Sequence, residues 1–412
     1  MTASAPTDTS TGSGVASPGR LIGVDAARGL AVLGMCLVHV NPTDGPTWLV
    51  TLAQGRSSAL FAVLAGVSLA LLSGGSQPPA DLTATRWRIA VRALILLLLG
   101  LALTLLGTSV MVILCYYAVY FLLCLPLLRL GTVPLAWLSV ITAVAGPVVS
   151  FLIRSQMEIN EFGGAPTFDT VTDLRGTLTL VFLTGAYPVV TWIPFVLAGL
   201  ALGRAGVATI RPARIIAAGA AAAVIGFGGS WFAQSVLGGR DRLLEMLRPM
   251  LADSGISADS ILDTPSMGTT STTSWWNLTL ANPHSGTPFE IVGSIGIALV
   301  VIGGLTVICQ RRSARRVLRP LIATGAMALT AYCLQIVLLA VFPPVRAEGE
   351  RIVTFGAVSG WFYYAALVIV ISGFATAWMA YFRRGPLESL LHRATALVGT
   401  RPGASTRGAE QR

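Results

Sequence analysis

Long apolar runs separated by short polar segments recur along nearly the whole chain, at residues 27–41, 58–75, 89–107, 109–128, 133–153, 178–203, 213–236, 288–309, 320–342 and 357–382. About 20 helical residues cross a bilayer core about 30 Å thick. A segment without water around it must satisfy its own backbone, which leaves helices or a closed barrel. These runs lack the in–out alternation of barrel strands. The pattern therefore predicts an all-α, polytopic transmembrane helix bundle of about ten spans. Pro188 and Pro194 interrupt the run at 178–203, which reads either as one span or as a surface helix followed by a short one.

Composition agrees. Of 412 residues, 54% are hydrophobic and 11% charged, and the mean hydropathy is +0.74. Soluble domains carry about a quarter charged residues. Residues 1–19 are small, polar and rich in Pro and Gly, and read as a disordered cytoplasmic tail. They lack the basic and apolar regions of a cleaved signal peptide, so the first run reads as a retained helix. Residues 20–393 form the bundle, and 394–412 read as a disordered basic tail.

Charge sets the expected orientation. All 28 basic residues are arginine. With the N-terminus inside, ten spans leave 20 arginines and five acidic residues on the cytoplasmic side, against eight arginines and 13 acidic residues outside. That asymmetry places both termini in the cytoplasm of a multi-pass protein of the cell membrane. The pI of about 10 then points to anionic lipid and not to nucleic acid. Two external loops, 154–177 and 237–287, are long enough to shape a substrate mouth, or to be a passive cap. The five cysteines all lie in apolar runs, where they read as small buried hydrophobes, and no metal-ligand spacing occurs.

The first span carries the most chemistry. Ionisable residues at membrane depth are functional candidates because they are costly there. Asp25 and Arg28 open the segment and His39 closes it. Arg28 and His39 are eleven residues apart, which puts them within about 20° on one helix face and about 16 Å apart along the axis. An acyl-CoA fits that spacing, with phosphates at Arg28 and the pantetheine arm extending toward His39. The plainer reading is an i,i+3 Asp25–Arg28 ion pair and an interfacial histidine. His284 precedes the eighth span on the same outer side, and Glu290 follows it. Thr287-Pro288-Phe289-Glu290 has the form of a capping box, so Glu290 reads as a cap or as the carboxylate partner of a general-base histidine. Tyr187 adjoins a helix break. Tyr332 and Gln335 are polar in an apolar span, as packing contacts or substrate contacts. Arg86, Arg88 and Arg92 read mainly as topology signals, with phosphate binding as the other reading.

RLIGVDAARGLAVLGMCLVHV, at 20–40, resembles the opening helix of the YeiB-like bacterial membrane proteins, domain-of-unknown-function family 418. SSALFAVLAGVSLALL, GAYPVVTWIPFVLAGLALGR and the terminal RRGPLESLLHRAT extend the likeness to about residue 393. A distant relative of that family is the lysosomal heparan-α-glucosaminide N-acetyltransferase, and the Arg-x10-His spacing echoes the acyltransferase-3 membrane enzymes. The resemblance implies an acyltransferase that moves an acyl group, acetyl by expectation, from cytoplasmic acyl-CoA to an extracytoplasmic sugar or envelope glycolipid. Carried over by position are Asp25, Arg28 and His39. The lysosomal enzyme has Asn where His39 stands, and its proposed catalytic His falls in a loop that has none here. The site expected is thus catalytic His39, His284 and Glu290; acyl-CoA-binding Asp25, Arg28, Arg86 and Arg88; and substrate-binding Tyr187, Tyr332 and Gln335. Acetyl-CoA is a cosubstrate, with no tightly bound cofactor and no metal. The partners are the lipid bilayer and the saccharide acceptor, and a homo-oligomer is compatible with the pattern. The alternative reading is a transporter or flippase for an envelope precursor, without acyl transfer.

Overall fold

A computed structural model of the chain describes residues 21–157, 163–343, 345–346, 353–354 and 359–397. The expected tail at 1–19 lies outside the described residues, as does that at 394–412 except for its first four residues, which continue a helix to Leu397. Helix α1 (Ile22–Val40) starts earlier than its apolar run, so Asp25 and Arg28 stand inside it. The second crossing is α2 (Thr47–Ala53) followed by α3 (Arg56–Leu72). Asp81 starts α4 (Leu82–Thr104) by accepting the Ala84 N–H at 2.9 Å. Then come α5 (Leu114–Cys124), extended by a 3-10 turn to Arg129, and α6 (Thr132–Ser155). α7 (Leu174–Thr179) and α8 (Val189–Arg204) flank a break. α9 (Pro212–Ala223) runs on through π turns and α10 (Gly229–Trp231) to Val236.

The segment that follows holds α11 (Gly239–Leu251) and α12 (Ala258–Asp263). They enclose their own small core of Leu243, Leu244, Ala258, Leu262 and Leu280, and Arg240 bridges Asp259 and Asp263 at 2.9 Å each. The loop is thus a folded cap. α13 (Pro288–Ile308), α14 (Arg312–Val317), α15 (Arg319–Ala326) and α16 (Ala328–Val341) return through the bundle. Two-residue strands β1 (Val345–Arg346) and β2 (Val353–Thr354) pair antiparallel before α17 (Gly360–Tyr381) and α18 (Pro386–Leu397).

The fold is an all-helical bundle. Among the described residues seven helices are long and apolar enough to cross a membrane, or nine if each bent pair is one span. Each expected run coincides with helix, the fourth as the shorter apolar Leu114–Arg129. The run at 178–203 divides into two helices bent by 57° before Pro188, whereas Pro194 is accommodated inside α8. The run at 320–342, expected to be continuous, turns by 93° at Met327.

Small residues let the helices approach. A Cβ on Gly199 of α8 would collide with the Val63 carbonyl of α3, and one on Gly66 with the Val196 carbonyl. Arg204, buried at the end of α8, gathers the carbonyls that end α3: it donates to Gly75 O at 2.7 Å, Ser73 O at 3.1 Å and Gln77 O at 3.1 Å. Its other terminal nitrogen donates to Leu128 O at 2.8 Å, past α5. A cation at helix C-termini is electrostatically favoured, so one side chain ties three elements at the same end of the bundle.

Ser254 and Ser313 are exposed on either side of α13, the one helix of spanning length between them, and the five cysteines are buried. With the native cysteines replaced, Ser254→Cys is expected to react with an impermeant thiol reagent from outside the cell and Ser313→Cys only from inside. Labelling of both from one side would contradict a single crossing by α13.

Candidate active site

Two cavities lie at opposite ends of α1, and each takes one of its ionisable residues. The cavity of about 300 Å³ at the end where α1 begins is lined by Arg28, Arg92 and Glu388, with Ser68, Tyr117 and Leu329. The other, about 290 Å³, is lined by His39 and His284 with Ser58, Tyr187, Met267 and Gly268. We call them the inner and outer cavities.

In the inner cavity Arg28 is held twice. It pairs with Asp25 at 2.9 Å and donates to Ser68 Oγ at 2.9 Å, while Ser68 donates to Leu64 O at 2.7 Å. The ion pair expected at the helix start is therefore present, and the same guanidinium lines the cavity. Arg92 shares the inward face of α4 with Thr85, Ile89 and Leu96. Among the described residues no hydrogen bond or ion pair ties Arg92 down. Arg86 and Arg88 lie on the exposed face and do not line the cavity; Arg86 Nε donates to Leu125 O at 3.2 Å. Depth along α4 separates the three arginines: Arg92 stands one turn past Arg88 and one turn before the buried Leu96.

Glu388 was not singled out by the sequence reading, although its Gly-Pro-Leu-Glu motif was. The carboxylate accepts the N–H groups of Leu329 at 2.8 Å and Thr330 at 3.2 Å, and the Thr330 hydroxyl at 2.6 Å. Those are the first N–H groups of α16, which the break at Met327 leaves without helical partners. The terminal motif is thus a helix cap supplied from another helix.

The outer cavity is built from chain ends and turns. Asn41 closes α1 in the left-handed region (φ 49°), directly after the turn that carries His39. One nitrogen of the His39 ring, Nδ1, is buried without a hydrogen-bonding partner among the described residues. His284 also has positive φ (60°), a conformation uncommon outside glycine. It is held there by backbone pairing across the cap: Ser266 N–H donates to Pro283 O at 2.9 Å and Gly268 N–H to His284 O at 3.0 Å. Its ring stacks on Trp192 at 5.7 Å and meets Tyr187 at 5.6 Å. Tyr187 stands in the break between α7 and α8, and its carbonyl accepts the Tyr120 hydroxyl at 2.6 Å.

Other expected site residues stand back from the cavities. Thr287 Oγ1 accepts the Glu290 N–H at 3.2 Å behind Pro288, as expected of a cap, but the Glu290 carboxylate takes Ser294 Oγ at 3.0 Å. Glu290 is buried apart from the outer cavity's lining, and the Arg56 charge acts on both Glu290 and His284. Arg56 also lies 5.2 Å over the Phe227 ring. An arginine at the N-terminus of a helix opposes the dipole, and that misfit was the signal in the sequence. Tyr332 is buried with its hydroxyl accepting the Ile113 N–H at 3.2 Å. Gln335 is fully buried, and neither amide atom has a partner among the described residues. No cluster of three or more metal-ligating side chains occurs among the described residues.

Burial, and then the Arg56 cation, lower the His284 pKa to about 4 from its ordinary 6.5, so the imidazole is neutral at pH 7. As pH falls, the unfolded chain takes up this proton first. His284 therefore contributes full stability above about pH 6.5 and loses it progressively toward pH 4. Thermal unfolding in detergent from about pH 7.5 to 4.5 is expected to fall more steeply for the native protein than for His284→Gln. Parallel curves would contradict a buried neutral imidazole.

Two families match the chain. Residues 20–231 match the family described as heparan-alpha-glucosaminide N-acetyltransferase, catalytic. Residues 257–398 match a family described as protein of unknown function, DUF418. No curated protein matches the chain. Both cavities draw on both matched segments: Arg28, Arg92 and His39 come from the first, Leu329, Glu388 and His284 from the second. The first match covers more than half of the sequence, and the chain belongs to the family of the heparan-alpha-glucosaminide N-acetyltransferase catalytic domain.

Proposed function

We propose that this protein is a membrane acyltransferase that takes a short acyl group, acetyl in the first instance, from acyl-CoA on the cytoplasmic side. The acceptor is a hydroxyl or amine of a saccharide or glycolipid on the opposite side. The observation that carries the reading is the division of α1, with Arg28 in one cavity and His39 in the other. Family membership supports the reaction class, since the enzyme named in the match is an N-acetyltransferase.

Each residue then has a role. Arg28 and Arg92 attract the anionic phosphates of CoA by charge-assisted hydrogen bonds. Asp25 and Ser68 hold Arg28 in a fixed rotamer. The pantetheine arm carries the thioester along the Val32–Met35 stripe toward His39. The neutral imidazole of His39 takes the proton of the acceptor O–H or N–H as that atom attacks the thioester carbonyl. The tetrahedral intermediate expels the CoA sulfur, the C–S bond breaks, and the thiolate takes the proton back to leave as CoA-SH. His284, fixed by its backbone pairing and by Trp192, orients the acceptor, with Tyr187 as a wall of the same cavity. In the variant route His39 itself carries the acyl group, and the acceptor attacks the acyl-imidazole.

A transporter remains the second reading because of one observation. Both cavities border a helix break, the inner at Met327 and the outer at Gly185–Pro188, and discontinuous helices frame substrate sites in transporters. The two readings part on chemistry. Purified protein given acetyl-labelled CoA and a mixed glycolipid acceptor is expected to release free CoA and labelled acceptor. Arg28→Gln is expected to weaken CoA binding about tenfold or more in a protein that remains folded. His39→Ala should lower kcat by about 10²–10⁴-fold, and His284→Ala should act mainly on the acceptor KM. His39→Asn separates general base from positioner: full activity would move the base role to His284. A folded native protein that neither binds CoA nor cleaves the thioester would contradict the acyltransferase reading in favour of transport.

A further inference from the structure

The two cavities share no lining residue, yet the step between them is a single helical turn. On α3, Ser57 and Ser58 line the outer cavity and Phe61 lines the inner one. Where the chain enters α5, Met111 faces the outer cavity and Leu114 the inner one. On α3 the step from Ser58 to Phe61 rises about 4.5 Å.

Phe61 is the first residue of α3 past that step to line the inner cavity. Its ring stacks on Tyr117 at 5.6 Å (24°) on one side and on Tyr332 at 5.9 Å (18°) on the other. Tyr332 is pinned by the Ile113 N–H. Phe61 has no polar atom to pin it and turns about two side-chain torsions. The Tyr117 hydroxyl, buried beside it, has no hydrogen-bonding partner among the described residues, so moving the Phe61 ring breaks no hydrogen bond on either neighbour.

We infer that Phe61 is the gate between donor and acceptor cavities and the residue that selects the acyl group. The inference rests on the acyl-transfer reading. The acyl group leads the pantetheine arm, so it must pass Phe61 before its carbonyl can reach His39. Bulk is therefore tested at this ring: a short unbranched acyl thioester passes, and a branched one meets the Phe61–Tyr332 stack. Between turnovers the ring returns and separates the two sides.

Two measurements test this, one of them independent of transfer. Native protein, Phe61→Leu and Phe61→Ala are compared for kcat/KM with acetyl-CoA and isobutyryl-CoA. The isobutyryl-to-acetyl ratio is expected to rise at least about tenfold in Phe61→Ala, by the scale of one or two methyl groups in an apolar passage, and less in Phe61→Leu. Separately, Ser58→Cys on a cysteine-free background is exposed to an impermeant thiol reagent from the inner side only. Labelling is expected to be slow with Phe61 present and about tenfold or more faster with Phe61→Ala. An unchanged substrate ratio in folded Phe61→Leu and Phe61→Ala overturns the selection, and unchanged inner-side labelling overturns the gate. If native protein transfers no acyl group, the acyltransferase reading fails while the labelling still reports on Phe61.

Discussion

The Glu388 carboxylate, capping a helix to which it does not belong, is the interaction on which the inner half of the bundle depends. A break inside a membrane helix frees backbone N–H groups that lipid cannot satisfy. At Met327 those groups are Leu329 N–H and Thr330 N–H, and Glu388 accepts both. The bend that results swings Gly325 against the Asp25 carbonyl and opens the space lined by Gly325, Ala326, Ala328 and Leu329. The terminal motif therefore shapes the inner cavity although most of it lies outside.

The outer cavity follows the same logic with other means. The break before Pro188 turns Ala186 and Tyr187 toward the space that His39 and His284 share. There the freed backbone is met by a hydroxyl and by the loop at 163–170: the Tyr120 hydroxyl donates to the Tyr187 carbonyl, and the Ala186 N–H to Gly164 O at 2.9 Å. His284 is held at positive φ by the strip 265–268, so the folded cap reaches into the site. Helix α1 runs between the two cavities, and its eleven-residue spacing gives one ionisable residue, Arg28 or His39, to each.

How much of this was legible differs by the range of the interaction. The spans were readable because lipid imposes apolar length on every crossing, and the Arg28–His39 stripe because helical phase is a local property. The bend at Met327 was not readable: the surrounding ATGAMALTAY stays apolar without proline, and the capping carboxylate lies 59 residues from Leu329. Arg92 could have been preferred over Arg86 and Arg88 because it falls inside the apolar run at 89–107, which the other two precede. Arg56 escaped notice because its partners, Glu290 and His284, come from the far half of the chain. Glu290 was given a cap reading and a site reading. The structure has Thr287 capping the Glu290 N–H and the carboxylate accepting from the Ser294 hydroxyl.

The central claim is that donor and acceptor meet from opposite sides of the membrane through one partition. Oriented proteoliposomes test it most directly. Acetyl-labelled CoA is supplied only to the face bearing Arg311–Arg319, and a membrane-impermeant saccharide acceptor only to the face bearing the cap at 239–263. The account predicts labelled saccharide on the cap face and free CoA on the arginine face, with no product when the two substrates exchange sides. Product that forms only when both substrates share one face would contradict it.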